Sequence, residues 1–136
     1  MLDDQIRLEK PLLITSKQKE EYLEDGAVLI ESIVSEKWLK RIRSASNEII
    51  ERSREIEESN SQYILEEGHS KNNPRLKRLS SPVDHHSTFW DFISNELSSQ
   101  LAADVVGPNV KYHHSKLNYK WANGGMEFDW HQDIQS

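Results

Sequence analysis

The tripeptide His131-Gln132-Asp133 contains the residue types best suited to hold a redox metal. On a β-strand, residues i and i+2 project from the same face, about 7 Å apart at the backbone. Converging side chains can then bring an imidazole nitrogen and a carboxylate oxygen onto one ion. Iron(II) in oxygenases is often held by two histidines and one carboxylate on one face of its octahedron, with the remaining positions open for co-substrate and dioxygen. A His-X-Asp pair supplies two of those three ligands. Taken alone the tripeptide is weak evidence, because a solvated pair at a strand end has the same sequence.

The neighbouring residues strengthen the metal reading. Asn123-Gly124-Gly125 is a turn signal. After it, Met126, Phe128 and Trp130 fall on one face of a predicted strand, and Glu127, Asp129, His131 and Asp133 on the other. An aromatic face can shield a metal from bulk water. Before the turn, Val110 to Trp121 follows a period of two. Leu117, Tyr119 and Trp121 point one way, and Lys116, Asn118 and Lys120 the other. Ammonium and amide donors in a row beside a metal suit a dicarboxylate co-substrate, which they bind with charge assistance. An exposed strand face is the alternative for that row. Asp129 with His131 is a second, weaker ligand pair.

The upstream elements are mainly helical. Thr15 with Gln18 has capping-box spacing for a short helix through Tyr22 and Leu23, and Gly26 sits where a helix-ending residue with positive φ is wanted. Ala27-Val28-Leu29-Ile30 reads as a short buried strand. Ser35 caps a long helix from about Glu36 to Glu58, with Trp38, Ile42, Ala45, Ile49 and Ile56 as its apolar stripe. Arg52 interrupts that seam, which favours packing against a sheet over a coiled coil. Residues Ser59 to Pro82 show no clear period, and Gly68, Asn72-Asn73-Pro74 and Ser80-Ser81-Pro82 mark loops. An amphipathic helix over Ser87 to Val106 carries Phe89, Trp90, Ile93, Leu97, Leu101 and Val105, and Gly107-Pro108 stops it.

Composition narrows the function classes. A chain of 136 residues is one domain or part of one. Its apolar fraction of 35% is below the roughly 45–50% usual for globular chains, so the core will be lean. A net charge of −6 argues against a nucleic-acid partner, which needs a clustered positive surface. There is no cysteine for a disulfide or a thiolate nucleophile, no leader-like start, and no apolar run near the ~18 residues of a membrane span. These features predict a soluble, cytoplasmic protein with no membrane partner. No Gly-X-Ser-X-Gly elbow, phosphate loop or dinucleotide fingerprint is present.

Three stretches together resemble the phytanoyl-CoA dioxygenase family of iron(II)- and 2-oxoglutarate-dependent oxygenases. They are Ser115-Lys116-Leu117-Asn118-Tyr119-Lys120, Gly124-Gly125, and Trp130-His131-Gln132-Asp133. Asp25 to Ile30, His69, Pro74 to Leu79 and Pro82 agree more permissively, so the likeness spans roughly residues 20 to 134. The resemblance implies an α+β chain in which N-terminal helices (about 15–106) pack on a double-stranded β-helix, or jelly roll, whose first strands are about 110–134. It implies hydroxylation of an unactivated carbon with oxidative decarboxylation of 2-oxoglutarate. By carry-over His131 and Asp133 are iron ligands. Lys116 and Asn118, and less directly Lys120, contact 2-oxoglutarate or substrate, and Trp130 packs beside the metal.

The chain departs from that pattern in two respects. The family needs a distal histidine as third ligand and a downstream Arg or similar cation for the far carboxylate of 2-oxoglutarate. The six histidines are His69, His85, His86, His113, His114 and His131, and none follows His131. His114 is the best-placed upstream substitute. The expectation is the N-terminal part, residues 1–136, of a single oxygenase domain, truncated and inactive alone, with strand edges that a second chain could cover. The alternative is a non-catalytic half-domain or interaction module with a vestigial metal site. His85-His86 and His113-His114 are expected in surface or core polar roles. His69 with Arg75, Lys77 and Arg78 is expected either to greet an anionic substrate or to form a solvated loop.

Overall fold

The computed structural model describes residues 10–122, 124–129 and 131. Its elements, in chain order, are α1 (Ser16–Asp25), α2 (Glu36–Ser53), β1 (Tyr63–Leu65), β2 (Leu76–Ser80), α3 (Pro82–His85), α4 (Ser87–Ile93), α5 (Glu96–Val106) and β3 (Lys116–Asn118). This is a mixed α+β arrangement. Two compact units are formed, one by the described residues of Met1–Ala45 and His86–His114, the other by those of Ser46–His85 and Ser115–Ser136.

The first unit is helical. Thr15 builds the expected capping box: its Oγ1 accepts the Gln18 N–H at 3.1 Å, and its own N–H donates to Gln18 Oε1 at 2.9 Å. Gly26 closes α1 with φ 74°, a conformation that costs glycine nothing. The buried Asp104 of α5 anchors the chain before α1. Its carboxylate accepts the N–H groups of Leu12 (2.8 Å), Leu13 (2.7 Å) and Ile14 (3.0 Å). Trp38 meets Phe92 edge-on at 5.3 Å, with the Arg41 guanidinium over its ring.

Four sequence expectations are corrected here. Ala27–Ile30 is not a strand: no ladder takes up its backbone groups, the chain turns at Glu31-Ser32, and Leu29 is 79% exposed. Helix α2 ends at Ser53 rather than Glu58. Arg54, Glu55 and Ile56 bond three residues back, to Glu51, Arg52 and Ser53, which tightens the last turn and stops the helix. The expected helix Ser87–Val106 is two helices, because Asn95 ends one and caps the next. Asn95 Oδ1 accepts the Ser98 N–H at 3.0 Å and its Nδ2 donates to Phe92 O at 2.7 Å. Tyr63–Leu65 and Leu76–Ser80, expected as loop, are strands.

The second unit holds the three-stranded antiparallel sheet, in the order β1-β2-β3. Tyr63, Leu79 and Leu117 lie opposite one another on its packed face, and Tyr63, Leu76, Leu79 and Ile49 of α2 are buried. Strand β3 is shorter than the predicted Val110–Trp121, but its pattern persists beyond its ends. Lys116, Asn118 and Lys120 are exposed, while Leu117, Tyr119 and Trp121 are half-buried. Tyr119 N–H bonds to Lys77 O at 2.9 Å, Trp121 Nε1–H bonds to Leu76 O at 2.9 Å, and the two rings stack. Among the described residues, no helix is long and apolar enough to cross a membrane.

Candidate functional site

The predicted donor row sits on one face of β3 and its extension. Register places Arg78 opposite Asn118 and Ser80 opposite Lys116, so both β2 residues share that face. Arg78 Nε donates to Asn118 Oδ1 at 3.2 Å. With Oδ1 committed, the group that Asn118 offers a ligand is its Nδ2–H. Lys120 Nζ donates to Met126 O at 2.9 Å and lies 4.8 Å from the centre of the Phe128 ring. Lys77 Nζ (4.9 Å) and the Arg78 guanidinium (5.6 Å) lie over the same ring.

Among the described residues, Lys77, Arg78, Lys116 and Lys120 have no carboxylate partner, whereas Arg52, Arg54, Lys71 and Arg75 do. Among the described residues, the Lys and Arg side chains of this unit that lack a carboxylate partner are therefore gathered on β2, β3 and the extension of β3. Sequence reading grouped Arg78 with His69, Arg75 and Lys77, either to greet an anionic substrate or as a solvated loop. Only the strand register brings it to Asn118.

The segment 125–129 is not the strand the sequence predicts. Side chains occupy the backbone groups that a ladder would use. Met126 N–H bonds to Glu66 Oε1 at 2.9 Å, and Met126 O accepts Lys120 Nζ. Glu66 is buried and paired with Arg75 at 2.7 Å, and Arg75 Nη2 also donates to Gly124 O at 3.1 Å. Gly125 passes so close to Trp121 that a Cβ there would stand 3.1 Å from Trp121 N. The sequence gives no direct sign of Glu66. The one available signal is the pairing of Tyr63-Ile64-Leu65 with Leu76 to Ser80, which would have put Glu66 and Arg75 at the end of a hairpin.

His131 is exposed, and its Nδ1 lies 2.8 Å from the carbonyl oxygen of Asp129. A carbonyl can only accept, so Nδ1 carries the proton, and the lone pair of the neutral ring is on Nε2. Metal-binding histidines are oriented in this way, with the second ring nitrogen donating to a carbonyl or carboxylate. The geometry at His131 therefore fits a ligand role through Nε2. Trp130 and Asp133 lie outside the described residues. Among the described residues, no three His, Asp or Glu side chains converge on one point.

The other histidines have structural partners. His69 Nδ1 accepts the Arg75 N–H at 2.8 Å and its Nε2 donates to Ser53 O at 3.1 Å. His85 meets Tyr63 edge-on, His86 caps α4 through the Thr88 N–H, and His113 stacks edge-on against His114. A cavity of about 400 Å³ is lined by Arg54, Glu55, Ile56, Glu57, His69, Ser70 and Lys71, and none of Lys116, Asn118, Lys120 and His131 lines it.

Residues 22–136 match the family model described as phytanoyl-CoA dioxygenase (PhyH). The chain belongs to the phytanoyl-CoA dioxygenase family. It is also similar to a protein of Stutzerimonas stutzeri named "Probable alpha-ketoglutarate-dependent hypophosphite dioxygenase". The two are 26% identical over 118 residues, which is 87% of this chain and 41% of that relative. The chain thus spans less than half the length of that relative. No solved structure matches it.

Proposed function

We propose that this chain carries the first part of an iron(II)- and 2-oxoglutarate-dependent dioxygenase that hydroxylates a small organic substrate. The family match supports the reaction class. The observation that supports the site assignment is the orientation of the His131 ring, whose Nδ1 lies 2.8 Å from Asp129 O. In this reading His131 Nε2 and the Asp133 carboxylate are two iron ligands. Iron(II), when bound, supplies the open positions at which dioxygen and 2-oxoglutarate react.

The chain's own contribution is binding and orientation. Lys116, Asn118 and Lys120 offer donors to the carboxylates of 2-oxoglutarate, and Arg78 orients the Asn118 amide. The sheet β1-β2-β3 is, in this proposal, the start of a jelly roll, and the outer edges of β1 and β3 accept further strands, from the same chain or a second one. Two ligands hold iron weakly, so the 136-residue chain alone turns over little or no 2-oxoglutarate.

The test is anaerobic titration of 2-oxoglutarate into the chain with iron(II) present. Binding should weaken in Lys116→Ala and Asn118→Ala. Affinity unchanged in both variants would remove the donor row from the site. Robust decarboxylation by the purified chain would contradict the weak-site part of the proposal.

A further inference from the structure

We infer that Glu66 and Arg75 form a clamp that positions His131 by fixing the turn that leads into it. The inference rests on the metal reading proposed for His131 and Asp133.

Glu66 divides its two carboxylate oxygens. Oε1 accepts the Met126 N–H at 2.9 Å, and Oε2 accepts Arg75 Nη2 at 2.7 Å. The same Arg75 Nη2 donates to Gly124 O at 3.1 Å. One ion pair therefore grips the turn by a carbonyl at 124 and an N–H at 126, 49 and 60 residues away in sequence. The chain then runs five residues from Met126 to His131.

The base of the clamp is braced. Glu66 N–H bonds to Arg75 O at 2.8 Å, Arg75 N–H bonds to His69 Nδ1, and His69 Nε2–H bonds to the Ser53 carbonyl at the end of α2. The Glu66 side chain is only 1% exposed and that of Arg75 only 18%. Burying an ion pair carries a desolvation penalty that well-packed apolar residues would avoid, so stability alone does not account for it. An apolar pair at 66 and 75 could not bind a carbonyl and an N–H of one turn at once. Metal-binding side chains need their geometry fixed by outer-shell partners, whose loss commonly weakens affinity about 10- to 100-fold.

Sequence reading left Glu66 out, and the dioxygen and 2-oxoglutarate chemistry does not call on it. It acts through the turn and touches no reacting group, so it is a positioning residue.

The test compares the full chain with Arg75→Lys, Glu66→Gln and His131→Ala. Cobalt(II) serves as an air-stable probe of the metal site, and amide hydrogen exchange is read at Met126. Wild type should bind cobalt(II) and His131→Ala should not. Arg75→Lys keeps a charge for Glu66 but loses the planar fork that bridges to Gly124 O, and it is the second variant that keeps the test decisive if Glu66→Gln fails to fold. Both should lose protection at Met126 and bind cobalt(II) about tenfold or more weakly.

Unchanged protection at Met126 would overturn the clamp. So would lost protection with cobalt(II) affinity equal to wild type, since the turn would then be held for some other purpose. A wild-type chain that binds no cobalt(II) would instead overturn the metal reading, and the clamp's positioning role with it, while the Met126 amide would still report whether the turn is gripped.

Discussion

Arg78 and Asn118 face each other across the β2–β3 ladder, and Arg78 Nε donates to Asn118 Oδ1 at 3.2 Å. This bond fixes which end of the Asn118 amide is free for a ligand. Arg78→Ala should weaken 2-oxoglutarate binding several-fold while leaving iron(II) or cobalt(II) affinity alone. Arg78→Lys should not restore it, because the planar fork that reaches Oδ1 is lost. Parallel calorimetric titrations of 2-oxoglutarate and metal check this.

Asp104 makes the first unit pH-sensitive. Burial pushes its carboxyl pKa up, but the N–H groups of Leu12, Ile14 and Leu13 and the Lys19 charge outweigh that and hold it below the usual carboxylate value. A lowered folded pKa stabilises the native state at every pH above the unfolded value near 3.8, and that stabilisation disappears as pH falls below it through the folded pKa. Asp104→Asn should remove this acid-limb dependence and cost about 1–3 kcal/mol at neutral pH, since one amide oxygen cannot serve three N–H donors. Thermal unfolding between pH 2 and pH 7 measures both.

Tyr119 gives the opposite sign. Burial raises its pKa, the Ser46 hydrogen bond lowers it, and the proximity of Tyr63 raises it, for a net upward shift. Its stabilising effect is complete below the ordinary tyrosine value near 10 and is lost as pH rises through the folded pKa. Ultraviolet titration should find one phenol ionising later than the others, and Tyr119→Phe should abolish that late step.

Gly125 passes within 3.1 Å of Trp121 N and 3.2 Å of Trp121 O, as measured from a Cβ built on it. Both neighbours are backbone, which cannot swing aside. Gly125→Ala should displace the turn and lower metal affinity more than it lowers thermal stability. Gly124, with φ 106° and open space around it, should lose stability on substitution through backbone strain instead.

Local signals were the legible ones. The Thr15-Gln18 cap, the Gly26 stop and the alternation of Leu117, Tyr119 and Trp121 with Lys116, Asn118 and Lys120 all depend on neighbours in sequence, and all are present. What depends on distant partners was missed. The break at Asn95 was missed for another reason: its bonds to Phe92 O and the Ser98 N–H are local, but the apolar period of Ser87 to Val106 runs through it. The run Met126 to Asp129 looked like a strand because the pattern cannot show that Glu66 and Lys120 satisfy its backbone. Around the candidate site, the exposed face of Lys116, Asn118 and Lys120 was readable. The contacts of Arg78 with Asn118 and of Glu66 and Arg75 with the 124–126 turn were not, because they arise from strand register and a long-range ion pair.

Anaerobic iron(II) titration of the chain, with and without 2-oxoglutarate, tests the central assignment of His131 and Asp133 most directly. The account predicts weak iron(II) binding that tightens when 2-oxoglutarate is present and disappears in His131→Ala and in Asp133→Ala. Iron(II) affinity left untouched by both substitutions would contradict it and would favour a non-catalytic module built on the same fold.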